Sequence, residues 1–255
     1  MIYIIGGNGF VGSAVTRYCI KNQIPHQVIT RQNYSQFVGT KCDLLINSNG
    51  NSKKFLANNN PVEDFDLSVS SVRKSLVDFL FDKYIFFSSC DVYNDCSNPM
   101  NNHEEVEIDV SLQSPYGFHK YLAELCVQHA VKDWLIIRFG GFVGEGLKKN
   151  PIYDILNGGP LWVDPQSELQ YLNTDVAASL VMKLVEQGLS REIINLCGDG
   201  LVKLEEIIEE LGTHVEVKTD SPKVIYNINI EKAKKYVSIP SSRDAVFEFI
   251  RSVKR

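Results

Sequence analysis

The chain has 255 residues, 44% hydrophobic and 22% charged, enough to bury a large core in one domain or in one domain plus a lobe, which excludes disorder as the default. A net charge of −5 offers no basic field to a phosphate backbone, so nucleic acid is not an expected partner, and a small anion would need a helix end or a local arginine. The opening MIYIIGGNGF lacks the charged start and long apolar stretch of a signal peptide, and no run of about 18 apolar residues could cross a bilayer, so a soluble, cytoplasmic protein with no membrane partner is expected.

Along the chain, Ile2–Ile5 is an apolar run ending at glycines, an apolar-periodic stretch runs from Phe10 to about Lys21, and Gln27–Thr30 follows, a strand–helix–strand unit. Further buried strands are expected at Leu44–Ile46, Tyr84–Phe87 and Leu135–Arg138, with helices near Leu67–Phe81 and Pro115–Val131. Apolar strands alternating with helices predict a parallel sheet covered on both faces. Past Gly140 turn clusters loosen the pattern, and shorter elements follow at Leu169–Leu172, Thr174–Glu186, Ile193–Leu196, Lys203–Leu211, His214–Lys218 and Asp244–Val253. The expected division is residues 1–140 as a dinucleotide-binding domain and 141–255 as a substrate lobe with elements returning to the main sheet. Cys19, Cys42, Cys90, Cys96, Cys126 and Cys197 form no CxxC pair, so free thiols are expected, with no metal site.

Gly6-Gly7-Asn8-Gly9-Phe10-Val11-Gly12 lies directly after the first strand and opens the first helix. Glycines there let the backbone turn sharply and approach a pyrophosphate, whose charge meets helix-end amides around Gly6, Gly9, Phe10, Val11 and Gly12. About 18 residues past Gly12, where an acid would hold the ribose of NAD, stand Thr30 and Arg31. A guanidinium can pair with a 2′-phosphate, which favours NADP over NAD.

Tyr116 and Lys120, four apart in SPYGFHK, share one face of a helix that Ser114 can cap and Pro115 can open. The ammonium is expected to lower the phenol's pKa, so that Tyr116 can exchange a proton with a carbonyl or hydroxyl while hydride moves at a nicotinamide. The same spacing also describes a solvated helix face. Upstream, the strand Tyr84–Phe87 runs into Ser88-Ser89-Cys90-Asp91-Val92-Tyr93, placing Ser89 at the carboxyl end where parallel sheets bind ligands; serine also suits a strand-ending turn.

GGNGFVG at 6–12, SSCDVY at 88–93 and YGFHK at 116–120, with looser echoes in IIRFGGFVGEG at 136–146 and QYLNTDVA at 170–177, resemble the extended short-chain dehydrogenase/reductase family of nucleotide-sugar epimerases, dehydratases and reductases. The resemblance covers nearly the whole chain. It implies a Rossmann-like α/β fold, a doubly wound parallel sheet with a small C-terminal substrate lobe. It also implies Ser89, Tyr116 and Lys120 as catalytic residues, Lys120 on the nicotinamide ribose, a nucleotide-linked sugar as substrate and a homodimer built on the two helices named above. Three features depart from the family. The stretch from Arg31 to Asp43 is too short for the usual third strand and its helix, the loop after the next strand is unusually polar from Asn47, a cofactor-facing candidate, to Asn51, and the chain is shorter than typical members.

Members that dehydrate carry two acids after the catalytic hydroxyl; here the first position is Cys90, a poor acid, so epimerase or keto-reductase chemistry is expected as a joint class. Asp91 is an acid, base or turn former, and Asn173 and Arg243 are candidate sugar or diphosphate contacts, while Arg138 is read as structural. A non-catalytic NAD(P)-sensing module would need the glycine turn but not the Ser–Tyr–Lys set, and a methyltransferase would leave the Tyr/Lys spacing unexplained.

Overall fold

The structure is a computed structural model and describes residues 1–253. The elements run β1 (Ile2–Ile5), α1 (Phe10–Lys21), β2 (His26–Ile29), β3 (Lys41–Asn47), α2 (Lys54–Asn59), α3 (Pro61–Phe65), α4 (Ser71–Asp78), β4 (Leu80–Ser89) and α5 (Pro115–Ala130). They continue with β5 (Trp134–Phe139), β6 (Gly141–Val143), α6 (Pro151–Asn157), β7 (Glu168–Leu169), β8 (Tyr171–Asn173), α7 (Thr174–Glu186), β9 (Glu192–Leu196), β10 (Val202–Lys203), α8 (Leu204–Leu211), α9 (Glu231–Lys234) and α10 (Ser242–Val253).

Six parallel strands form the central sheet in the order β2-β1-β3-β4-β5-β9. Strand alternation decides which residues face which helix layer. Ile2, Ile4, Ile85, Phe87, Leu135 and Ile137 share one cluster with residues of α1 and α7. Tyr3, Ile5, Tyr84, Phe86, Trp134 and Ile136 point the other way, into a cluster with residues of α4 and α5. Each aliphatic side chain so buried contributes about 1.5–3 kcal/mol, and both faces of every central strand contribute.

From β1 the chain moves outward to β2 and then returns to β3 on β1's other side. The two connections leave in opposite directions, so a crevice opens beyond the carboxyl ends of β1 and β3. Between β2 and β3 there is only a single helical turn at Tyr34–Gln36, which truncates that edge of the sheet. The later segments build a second core from Val143, Ile152, Tyr171, Leu204, Ile207, Val246 and Ile250, while β9 inserts beside β5 in the main sheet.

Several element boundaries differ from the sequence reading. The helix expected over Leu67–Phe81 ends at Asp78, because Leu80 and Phe81 already pair with Lys41 and Cys42 in β4. The run Leu169–Leu172 divides between β7 and β8, which belong to different two-stranded sheets, with the buried Gln170 between them. Within His214–Lys218 only Val217 makes a bridge, to Leu161. All six cysteines are free, four of them buried. Among the described residues no helix is long and apolar enough to cross a membrane.

Candidate active site

The turn after β1 is held by backbone hydrogen bonds from Gly6 to Ile29 (3.1 Å) and from Gly9 to Gly6 (2.8 Å). Gly6 has φ +78°, a conformation that favours glycine. A methyl group on Gly12 would overlap the Gly6 carbonyl oxygen and the Ser48 hydroxyl, so glycine there lets α1 approach the turn and β3's loop. No side chain caps α1, and its first turn holds no acid, which leaves its amide end open to an anion. Phe10 packs edge-on against Phe142 at 6.3 Å, and Val11 is half-buried beside it in the chain.

At the end of β2, Thr30 is occupied locally: its amide and hydroxyl both donate to Asn33 Oδ1, at 2.7 and 3.2 Å. Arg31 next to it is exposed and makes no hydrogen bond or ion pair among the described residues. Asn47 is a correction. Its side chain is fully buried, donating to Tyr84 (2.7 Å) and Ser75 (3.2 Å) and accepting from the Asn49 amide (2.9 Å), so it braces β3 against α4 and has nothing left for a ligand.

Ser89 ends β4 and Tyr116 opens α5, whose N-terminus is capped by Ser114 accepting from the Gly117 amide at 3.1 Å, with Pro115 in the first turn. A methyl on Gly117 would overlap the Asp91 carbonyl oxygen, so this glycine lets α5 pack directly on the turn after β4. Ser89 and Tyr116 are thereby brought to the same end of the site, where the Ser89 hydroxyl donates to Asp91 Oδ2 at 2.9 Å. Lys120 follows one turn later, buried, with its amine 3.4 Å from the Phe87 carbonyl oxygen and beside Gly50 of the β3 loop.

The electrostatics of this pair run against the sequence expectation. Burial pushes the Tyr116 phenol well up and the Asp91 carboxylate pushes it further, while the Ser89 hydroxyl pulls it back. Lys120 is not among the charges acting on it; burial drives the amine down to about 8, against the opposing carboxylates of Asp64, Glu124 and Asp91. The phenol is therefore held protonated, a proton donor in waiting. For Lys120 the sign of the linkage is definite. The unfolded chain, with an ordinary amine near 10.4, binds more protons than the folded one between about pH 8 and that value, so stability rises with pH across that window. The cost of burying the charge is fully present below it. Lys120→Met is thus expected to gain most in Tm over wild type below pH 8, and the gain shrinks as pH approaches 10; thermal melts showing a pH-independent difference would contradict this.

Asp91 is hydrogen-bonded on both oxygens. It accepts from Ser89 at 2.9 Å, from Lys54 at 2.6 Å and from Tyr226 at 2.6 Å. With Tyr93, Ser114 and Tyr226 it lines a cleft of about 360 Å³. Lys54 and Tyr226 escaped the sequence reading, because they lie 37 and 135 residues from Asp91 and carry no local motif. The same holds for the buried pair of Asp64 and His119, 2.6 Å apart, with Asn51 donating to Asp64 at 2.6 Å; these fasten the β3 loop to α5 beside Lys120.

Two further candidates have partners within the chain. Asn173 caps α7 by accepting from the Asp175 amide at 2.9 Å. Arg243 pairs with Glu206 at 3.3 Å and stacks on Phe247 at 4.5 Å, an interaction internal to α8 and α10. Behind the site, Arg138 donates to Glu124 at 2.6 and 3.0 Å and stacks on Tyr93 at 4.8 Å, and Ser88 donates to the same carboxylate.

No protein-family model and no curated protein sequence matches the chain. Solved structures do. UDP-galactose 4-epimerase is similar at TM-score 0.80 and 19% identity over 99% of this chain and 98% of that one. MoeE5, in complex with UDP-glucose and NAD, is similar at TM-score 0.83 and 14% identity over 100% and 98%. dTDP-4-dehydrorhamnose reductase from Bacillus anthracis str. Ames, in complex with NADP, is similar at TM-score 0.79 and 14% identity over 98% and 97%. The fold is Rossmann-like. Both the parallel sheet and its lobe lie within these end-to-end superpositions.

Proposed function

We propose that the chain is an NAD(P)-dependent enzyme acting on a nucleotide-linked sugar, as an epimerase or a keto-reductase, with Ser89, Tyr116 and Lys120 as its catalytic set. The observation that carries this reading is the packing of the first turn of α5 on the turn after β4, Gly117 against the Asp91 carbonyl, which brings the buried Tyr116 and, one helical turn further on, the buried Lys120 amine to the crevice end of β4 where Ser89 stands. The extended short-chain dehydrogenase/reductase resemblance and the sugar-nucleotide enzymes among the structural neighbours point the same way.

The residues present fit a dinucleotide. The uncapped α1 amides at Phe10–Gly12 would take the pyrophosphate, Arg31 a 2′-phosphate, and Lys120 the nicotinamide ribose. When bound, the nicotinamide supplies or accepts the hydride. Tyr116 gives its proton to the sugar carbonyl oxygen and Ser89 orients that oxygen by a hydrogen bond. Dehydration is disfavoured on this account: the Cys90 thiol is fully buried, turned towards the Arg138 carbonyl oxygen (3.4 Å) and Cys197 (3.6 Å), and raised by burial. A homodimer through α4 and α5 belongs to the same reading, since Val77 and Leu125 stand exposed there.

The cofactor half is tested by fluorescence titration with NADPH and NADH. A charge-assisted hydrogen bond contributes about 1.5–3 kcal/mol, so Arg31→Ala is expected to weaken NADPH about ten- to hundredfold and leave NADH unchanged. Equal losses for both would remove Arg31 from the site, and no binding of either would remove the cofactor.

A further inference from the structure

We propose that Lys53, Lys54 and Lys149 form a second anion site, separate from the open end of α1, which takes the diphosphate of the nucleotide-linked sugar and leaves the sugar itself in the cleft beside Asp91. This names how the substrate is held and rests on the reading of the chain as a sugar-nucleotide enzyme.

Two segments far apart in sequence meet here. The Lys149 amine, on the loop between β6 and α6, donates to the Ser52 backbone oxygen and, at 3.1 Å, to the Ser52 hydroxyl, 97 residues away. Ser52 stands immediately before Lys53 and Lys54, where the β3 loop enters α2. Lys54 in turn reaches Asp91 Oδ1 at 2.6 Å and the Tyr226 hydroxyl at 2.9 Å. That fixes the three amines at the edge of the cleft lined by Asp91, Ser114 and Tyr226.

Their charge is not balanced within the chain. Lys54 has Asp91, but Lys53 and Lys149 form no ion pair among the described residues; the Lys53 amine lies over the Phe55 ring at 5.8 Å, and Lys149 has only the neutral oxygens of Ser52. Burial lowers the Lys149 amine, and the charges of Lys53 and Lys54 lower it further. Gathering three ammonium groups costs free energy, even in a chain of net charge −5. A tie needed only to join two loops would be better made by a carboxylate opposite Lys149. An anion brought in from outside relieves the repulsion, and lysine binds phosphate as a point charge.

The cleft decides which end of the substrate lies where. Asp91 and Asp95 both line it, and the Ser97 and Asn101 donors hold the Asp95 carboxyl down to about 2. A diphosphate is repelled from such a lining and an uncharged hexose is not, so the phosphates belong at the lysine edge and the sugar inside. The cofactor's pyrophosphate has the α1 amides, with no acid in that first turn. The loop that carries Lys149 also reaches α1, with Glu145 3.6 Å from Arg17, so both diphosphates lie within its range and separate affinities tell them apart.

The test is calorimetric titration of the full-length protein with UDP, dTDP, GDP, CDP and inorganic pyrophosphate, with and without saturating NADPH, and with NADPH itself. At least one nucleoside diphosphate is expected to bind without displacing NADPH, in competition with pyrophosphate. Lys149→Met and Lys53→Met are each expected to weaken it about tenfold and to flatten its salt dependence, with NADPH affinity unchanged. Lys149→Arg, which keeps the charge, retains the binding; a merely structural role for Lys149 would leave the salt dependence as in wild type. Wild-type affinity in both methionine variants, no binding of any of the four nucleotides, or a loss that falls on NADPH instead would overturn the site alone. A wild type that binds neither NADPH nor NADH would instead bring down the functional reading beneath it.

Discussion

Tyr116→Phe is expected to lower turnover of a 4-keto nucleotide sugar by about two to four orders of magnitude, the usual contribution of a positioned proton donor, while leaving NADPH affinity unchanged. The variant removes one oxygen from a buried side chain and keeps the ring, so α5 and its contact with β4 persist. The loss is chemical because the phenol is the group that burial and Asp91 hold in its protonated form, next to the hydroxyl that would orient the substrate. A fall in kcat with unchanged KM identifies an interaction made in the transition state. Unchanged kcat would remove Tyr116 from the chemistry altogether.

Arg138→Leu is expected to cost about 3–5 kcal/mol, because it strands a carboxylate that has no access to water. Glu124 is 0% exposed and its charge is met by Arg138 through two hydrogen bonds, with Ser88 as the remaining donor. Against a total stability on the order of 5–15 kcal/mol, such a loss is a large share. Replacing both members, Glu124→Leu with Arg138→Met, removes the charges together and is expected to recover most of it. Urea unfolding of the two variants beside the wild type measures this; equal stability of the single and double variants would show that the pair carries little. Glu124 sits one turn beyond Lys120 on α5, so the pair also fixes the register of the helix that carries Tyr116.

How far the sequence was legible follows from the physics of each segment. β1, α1 and α7 were readable to the residue, because apolar runs bounded by glycine or by a capping residue admit one interpretation. The stretch from Lys54 to Asp78 was not: α2 and α3 precede the helix expected near Leu67–Phe81, whose start is a π-helical turn at Asp66–Ser70, and Lys54–Asn59 has little apolar periodicity to mark it. Leu80–Phe81 joined β4 because pairing with β3 outweighs a helical continuation that local pattern cannot distinguish.

At the site, Ser89, Tyr116 and Lys120 could be placed together because a strand's carboxyl end and the first turns of the next helix meet by topology. Asn47 also sits at a strand's carboxyl end, yet its side chain belongs to the α4 side, where Ser75 and Tyr84 claim it. The helix spacing said that Tyr116 and Lys120 share a face but not where the amine points; Phe87's carbonyl and its own burial decide that. Lys54, Tyr226, Asp64 and His119 meet their partners only through tertiary packing, which no local pattern encodes.

The central claim is that the glycine turn and Tyr116 face one bound cofactor. A crystal structure of the protein grown with NADPH tests it most directly. The expected density has the pyrophosphate on the Phe10–Gly12 amides, the 2′-phosphate at Arg31 and the nicotinamide ring against Tyr116 and Ser89. Density for the dinucleotide elsewhere, or a nicotinamide facing away from Tyr116, would contradict it.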